Sequence, residues 1–342
     1  EHAAGVKQAL TSILKIAVPL GIGVWLVAGT YNSLDDTQKS ELFAAFRQAD
    51  LGWLLLATTI GWLAHVSRGW RWRYLLAPLG HRPKAVHCYH AVMIGYFMNM
   101  FIPRAGEASR AVSLYRTGRV PFEQGFGTIL AERVIDTVML AAFGLAAVLF
   151  QYDKLDLFRA RIEAYRATQG PVAEGGFPWG PVVLAVLGLA AIAGVYLLAT
   201  RAALRTRALD LLRGFGQGLK AVLSMKRKGA FLGHTAFIWA AYFAMFAIGF
   251  QCLPSMKDVP MAGILAGFIA GAIGIVLVQG GIGVYPAFVA LIVGVYMAPP
   301  DGGGLLRPDA LAMGWLLWAA QTLMIIVLGG LSLLLTALQR PA

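Results

Sequence analysis

A chain of 342 residues that is 58% hydrophobic and only 13% charged, with a mean hydropathy of +0.67, has too little polar surface to cover a soluble globule. Its apolar segments approach helix length and lack the roughly ten-residue alternation of an outer-membrane barrel, so the composition predicts an all-α, polytopic helical integral membrane protein. The formal charge of +12 gathers beside the apolar stretches, which reads as topology signal and attraction to anionic headgroups and not as a nucleic-acid surface.

The first span is expected from about Ile13 to Thr30, with Lys7 and Lys15 near its start and Asp35, Asp36, Glu41 and Asp50 after it, which puts the N-terminus in the cytoplasm. No small-residue cleavage pattern follows, so a retained helix is expected over a signal peptide. Leu51 to Ser67 forms the second span, followed by a basic loop carrying Arg68, Arg71, Arg73, Arg82 and Lys84. Trp53, Trp70 and Trp72 fall near its ends, where aromatic rings anchor at the headgroups. Ala85 to Pro103 is apolar enough to enter the bilayer, yet both flanks are basic, so it is expected to go in and come back as a hairpin or broken helix.

Phe126 to Phe150 crosses fully. The stretch 151–176 balances four basic against four acidic residues, as an external loop can, and Asp153 to Thr168 is expected to lie there as an amphipathic surface helix. Phe177 to Thr200 returns to the most basic loop of the chain, from Arg201 to Lys228, and Gly229 to Leu253 leads outward again. Val259 to Pro300 then runs without one Asp, Glu, Lys or Arg, long enough for two spans, and is interrupted by Gln279, Gly280, Gly281, Gly283 and Pro286. Ala310 to Gln339 is the last span.

This reading gives about seven to nine membrane segments in a single domain, 1–342, with approximate halves 1–176 and 177–342. Two interrupted segments, one in each half and entered from opposite sides, point to an inverted repeat with a midplane site. Gly280, Gly281 and Gly283 are accordingly expected to line a cavity facing the turn from Asn99 to Glu107.

Asn99 to Asp136 puts charge at membrane depth, where each charge costs roughly 2.5–3.5 kcal/mol on insertion scales and so needs compensation. Glu132 and Asp136 share a helical face as i and i+4, and Arg133 is read as their nearest cation. Pro103 followed by Arg104, Glu107 and Arg110 reads as a helix start carrying a second mixed-charge face. The Arg68, Arg71 and Arg73 cluster reads either as positive-inside signal or as a phosphate holder. Cys88 and Cys252 give no disulfide or zinc spacing, and His87 and His90 lack the i, i+4 pattern of a metal helix. No metal, cofactor, catalytic triad or nucleotide motif is expected.

The runs RGWRWRYLLAPLG, GYFMNMFIPRAGEASRAVSLYRTGRVPFEQGFGTILAERVIDTVML and VQGGIGVYPAFVAL resemble the transmembrane region of lysylphosphatidylglycerol synthases and their stand-alone flippase-like relatives. The middle motif falls on Pro103, Arg104, Gly106, Glu107, Glu132, Arg133, Val134 and Asp136. In two-domain members a cytoplasmic domain transfers lysine from tRNA to phosphatidylglycerol and the membrane region moves the product. The resemblance implies the membrane region here, without aminoacyl transfer. Many relatives carry an acidic residue soon after the glycines, where Tyr285 and Pro286 stand in this chain.

The expected function is that of a lipid translocase of a bacterial-type inner membrane, with a membrane phospholipid or lipid-linked molecule as substrate. The candidate substrate-binding set is Arg71, Asn99, Arg104, Glu107, Arg110, Glu132, Arg133, Asp136, Gln279, Gly280, Gly281, Gly283 and Tyr285. Two other classes remain open: a membrane enzyme acting on a lipid-linked substrate, its carboxylates serving as acid or base, and a non-catalytic partner of a separate lipid synthase.

Overall fold

The computed structural model describes residues 21–102, 105–151, 225–297 and 306–338, with a few isolated residues outside these runs. Among them all regular elements are helical. They are α1 (21–32), α2 (Asp36–Gln48), α3 (Leu51–Leu76), α4 (Ala85–Phe101), α5 (Ala105–Gly118), α6 (Phe122–Leu149), α7 (Lys228–Gly249), α8 (Met261–Leu277), α9 (Val284–Val295) and α10 (Pro308–Leu338). Lys228–Cys252 and Pro308–Leu338 are each long and apolar enough to cross a membrane, α2 and the α3 region pass the same test as a pair bent by 73°, and α8 and α9 are shorter apolar helices. The protein is a polytopic helical membrane protein, as its composition predicts. Most of the expected surface helix 153–168, of the span 177–200 and of the basic loop after Arg201, together with Pro103 and Arg104, lie outside the described residues.

Three local outcomes differ from the sequence reading. The acidic stretch after the first span, used in the sequence only as a topology signal, forms a helix of its own, because Asp35 accepts the Gln38 N–H at 2.8 Å while the Gln38 side-chain oxygen accepts the Asp35 N–H at 3.1 Å, a reciprocal cap that starts α2. The span expected to stop at Ser67 continues as α3 to Leu76, so Arg68, Arg71 and Arg73 ride on a helix, while Arg82 and Lys84 stay in the connection to α4. Arg68, Arg71 and Trp72 are buried there. Trp72 is therefore no headgroup anchor: its indole N–H donates to Thr128 Oγ1 of α6 at 2.8 Å, whereas Trp53 and Trp70 remain exposed.

The third difference is how the segment after Ala85 turns back. α4 runs unbroken to Phe101, and the charged stretch itself, as α5 from Ala105, forms the return limb. The limbs touch through Gly95 and Gly106; a Cβ on Gly95 would lie 2.9 Å from the Gly106 carbonyl oxygen, closer than real side chains come. At the tip, Asn99 Oδ1 accepts the Gly106 N–H at 2.7 Å and satisfies a donor in the first turn of α5. At the open end, a Cβ on Gly118 would meet Pro83 Cβ at 3.2 Å, so both feet of the hairpin stand together.

The second interruption falls where the glycines predict it. α8 ends at Leu277, and Gly280, Gly281 and Gly283 take φ of +68°, +69° and +73°, a region that side-chain-bearing residues rarely adopt. The Gly280 carbonyl accepts the Trp318 indole N–H of α10 at 2.6 Å.

Packing joins the two parts of the chain. α3 lies along α7, α4 packs on α3 and α5, and α6 covers α5 and α3. α8, α9 and α10 form a second group, which α10 ties to α2, α3 and α4. The Gln279–Gly281 turn lies against α4, so the hairpin and the glycine break are neighbours.

Candidate functional site

The buried centre of the first group is an ion network assembled from three helices. α6 supplies Glu132 and Asp136, one turn apart on the face turned to α3 and α5. Arg68 of α3 donates through Nη1 to Glu132 Oε1 and Asp136 Oδ2, both at 2.7 Å. Arg71, three residues on and so on the same face, reaches Asp136 Oδ1 and Glu132 Oε1 with Nη2, each at 3.0 Å, and donates through Nη1 to Thr235 Oγ1 of α7 at 3.0 Å. Arg110 of α5 donates to Glu132 Oε2 at 3.0 Å, its guanidinium 4.4 Å from the Trp72 ring centroid. Arg71 and Glu132 are wholly buried and Arg68 and Arg110 nearly so. Three arginines thus surround two carboxylates, and the Nε atoms of Arg68, Arg71 and Arg110 are buried without a partner among the described residues.

Arg133 is not the cation that holds this pair. It stands 3.9 Å from Asp136 and points instead to Glu107 of α5, its Nη2 3.1 Å from Oε1. The side chains of Arg133 and Glu107 keep 39% and 24% of their exposure, against 1% for Glu132, so a ligand can reach them. The site divides accordingly: a desolvated network that fixes α3, α5 and α6 against one another, and an accessible ion pair beside it near the hairpin tip.

The family model of the lysylphosphatidylglycerol synthase TM region matches residues 12–330. The chain belongs to that family. Among curated proteins, this member of the lysylphosphatidylglycerol synthase TM family is 34% identical over 110 residues to glycosyltransferase AglD of Haloferax volcanii, covering 32% of the chain and 17% of that protein. It is 29% identical over 99 residues to UPF0104 membrane protein MJ1595 of Methanocaldococcus jannaschii, covering 28% of the chain and 30% of the relative. The chain therefore spans less than a third of either relative's length. No solved structure matches it.

Of the residues singled out by sequence, this family member brings Arg71, Arg110, Glu132 and Asp136 into one network, and Glu107 and Arg133 into the accessible pair. Asn99 closes the hairpin tip. Arg71 is wholly buried, with Nη2 on the two carboxylates and Nη1 on Thr235, and presents no free fork to a phosphate. Of the three glycines expected to line a cavity facing Asn99 to Glu107, Gly280 is exposed, Gly281 packs beside Ile275 and Tyr285, and Gly283 packs on α1, where a Cβ would lie 2.7 Å from the Gly23 carbonyl oxygen. Tyr285 is buried in the core shared by α7, α9 and α10. Gln279 opens the glycine turn, and Arg104 lies outside the described residues.

The residue that sequence reasoning left out of the set is Arg68, which contacts both carboxylates. The available signal was its spacing from Arg71: i and i+3 lie on one face only if the helix continues past Ser67.

Proposed function

We propose that the protein moves a polar-headgroup lipid, or a lipid-linked molecule, between the leaflets of a bacterial-type inner membrane, with its N-terminus cytoplasmic. The observation that carries this reading is the accessible Glu107–Arg133 pair, held near the tip of a helical hairpin whose feet stand together. A zwitterionic or anionic headgroup can exchange with such a pair, phosphate on the guanidinium and an amine on the carboxylate, while the buried network beneath keeps the hairpin in place. The neighbouring glycine turn supplies a second backbone break, and irregular backbone at membrane depth is tolerated where protein or a cavity covers it. The two breaks, one in each half of the chain, are the proposed inverted repeat. Membership in the lysylphosphatidylglycerol synthase TM family supports lipid as the substrate class.

The name of AglD, a glycosyltransferase, supports a second reading: a membrane enzyme acting on a lipid-linked substrate. Glu132 and Asp136 are poorly suited to acid or base work, since each is saturated by arginines, which leaves Glu107, held by the accessible Arg133, as the better-placed carboxylate among the described residues. A non-catalytic partner of a separate lipid synthase is the third. Incubating the purified protein in vesicles with labelled lipid and reading both lipid mass and leaflet distribution separates them. Unchanged masses with redistribution support translocation, a new lipid mass supports the enzyme, and neither change supports the partner.

A further inference from the structure

A second polar feature lies where the hairpin meets the end of α10. Between α4, α5 and the end of α10 is a cavity of about 350 Å³, whose walls include Ile94 and Met98 of α4, Ser109, Ser113 and Arg116 of α5, and Thr336 of α10. Ser109, Ser113 and Arg116 are spaced four and three residues apart and so form one stripe along α5. The hydroxyls of Ser109 and Thr336 spend their hydrogens on helix carbonyls, those of Ala105 and Ser332, at 2.7 and 2.9 Å. Ser113 differs. Its hydroxyl is more than nine-tenths buried, lines the cavity and has no hydrogen-bond partner among the described residues, although a helical serine can ordinarily bond back to its own helix.

Arg116 differs from its neighbour on the same helix in the same way. Arg110 is locked to Glu132, whereas Arg116 is exposed and makes no ion pair or hydrogen bond with a described residue. A buried donor without an acceptor and a free guanidinium, one turn apart on one face, together ask for an anion with several acceptor oxygens. Apart from Ser109, Thr117 and Thr336, whose hydroxyls donate to helix carbonyls, the other walls are apolar, which suits an attached hydrocarbon chain and disfavours a free hydrated ion. The stripe ends near the feet of the hairpin, beside Pro83 and Lys84, among the basic residues expected at headgroup level.

We propose that this groove holds one anionic phospholipid, its phosphodiester on Arg116 and Ser113 Oγ and an acyl chain along Ile94 and Met98. The site is separate from the Glu107–Arg133 pair and does not depend on the lipid being moved.

The test uses the delipidated full chain in detergent, titrated with phosphatidylglycerol, with retained lipid counted by native mass spectrometry. The wild type retains a single lipid most tightly. Arg116→Gln weakens that binding roughly tenfold or more, the loss expected of a charge-assisted contact, and Ser113→Ala weakens it several-fold. Lys84→Gln, also at an exposed basic position near the feet, leaves it unchanged. Millimolar inorganic phosphate does not displace the lipid. Undiminished retention by Arg116→Gln overturns the proposal, as does an equal loss in Lys84→Gln, which would reduce the effect to surface charge. Displacement by inorganic phosphate assigns the groove to a free anion and overturns the lipid. Leaflet redistribution is not read in this experiment, so its outcome leaves the translocase reading untouched.

Discussion

Replacing Glu132 by glutamine strands a buried cation, and the network geometry says which one. Arg68 and Arg71 keep Asp136, at 2.7 and 3.0 Å, but among the described residues Arg110 has no other carboxylate. Breaking a buried pair from one side costs about 3–5 kcal/mol, and the glutamine oxygen, still able to accept one bond, puts Glu132→Gln toward the lower end. Arg110→Met alone removes a charge-assisted hydrogen bond and the stack on Trp72 for about 1.5–3 kcal/mol, while Glu132 keeps two arginines. The two substitutions combined leave no stranded charge at this position. The double variant is therefore more stable than Glu132→Gln alone, with a coupling of about 1–3 kcal/mol between the sites. Apparent melting temperatures followed by tryptophan fluorescence in detergent give the order. A double variant that melts below Glu132→Gln would refute the assignment of Arg110 to Glu132. Neutralising Glu132, Arg133 and Asp136 together, which would leave no local charge if Arg133 were the pair's sole counter-ion, instead strands Arg68, Arg71 and Arg110.

Arg133→Gln breaks only the accessible pair with Glu107 and a 3.9 Å approach to Asp136, so it costs at most about 1 kcal/mol and melts close to the wild type; a loss as large as that of Glu132→Gln would place Arg133 inside the network. Gly280→Ala meets open space and pays only for its φ of +68°, about 1–2 kcal/mol, whereas Gly283→Ala adds a clash with the Gly23 carbonyl and melts lower; the reverse order in the same assay contradicts the packing of the turn on α1. Single cysteines at Lys84 and Thr117 label from the same side of sealed vesicles, because the feet of the hairpin adjoin, and labelling from opposite sides rules out a re-entrant hairpin.

Hydropathy and backbone breakers carried most of the fold. The charge-free run over 259–300 divides into α8 and α9 at the glycines, since side-chain-free residues with positive φ are hard to place anywhere but in a turn. The charges misled in two places for one reason. Arg68 and Arg71 look like the end of a span because a charge in lipid is costly, and α5, although legible as a helix start, looks like a helix outside the hairpin and not its return limb. That reasoning prices each residue alone, whereas Glu132 and Asp136, more than sixty residues away in sequence, offset the arginines of α3 inside the bundle. The carboxylates themselves were legible as a site from their i, i+4 spacing. Their partners were not, because a local reading favours the nearest cation, Arg133, and only the packing of α3 and α5 on α6 brings closer ones. The unpaired hydroxyl of Ser113 leaves no trace in the sequence, since any helical serine can bond its own backbone.

Lipid movement through the accessible pair is the most direct measurement. In sealed proteoliposomes loaded with headgroup-labelled phospholipid, a membrane-impermeant quencher reports how fast inner-leaflet label reaches the outside. The wild type exceeds protein-free vesicles, and Glu107→Gln combined with Arg133→Gln, neutral and of similar size, folds and loses most of that rate. A wild type no faster than protein-free vesicles contradicts translocation, and a double variant as fast as the wild type contradicts the role of the Glu107–Arg133 pair.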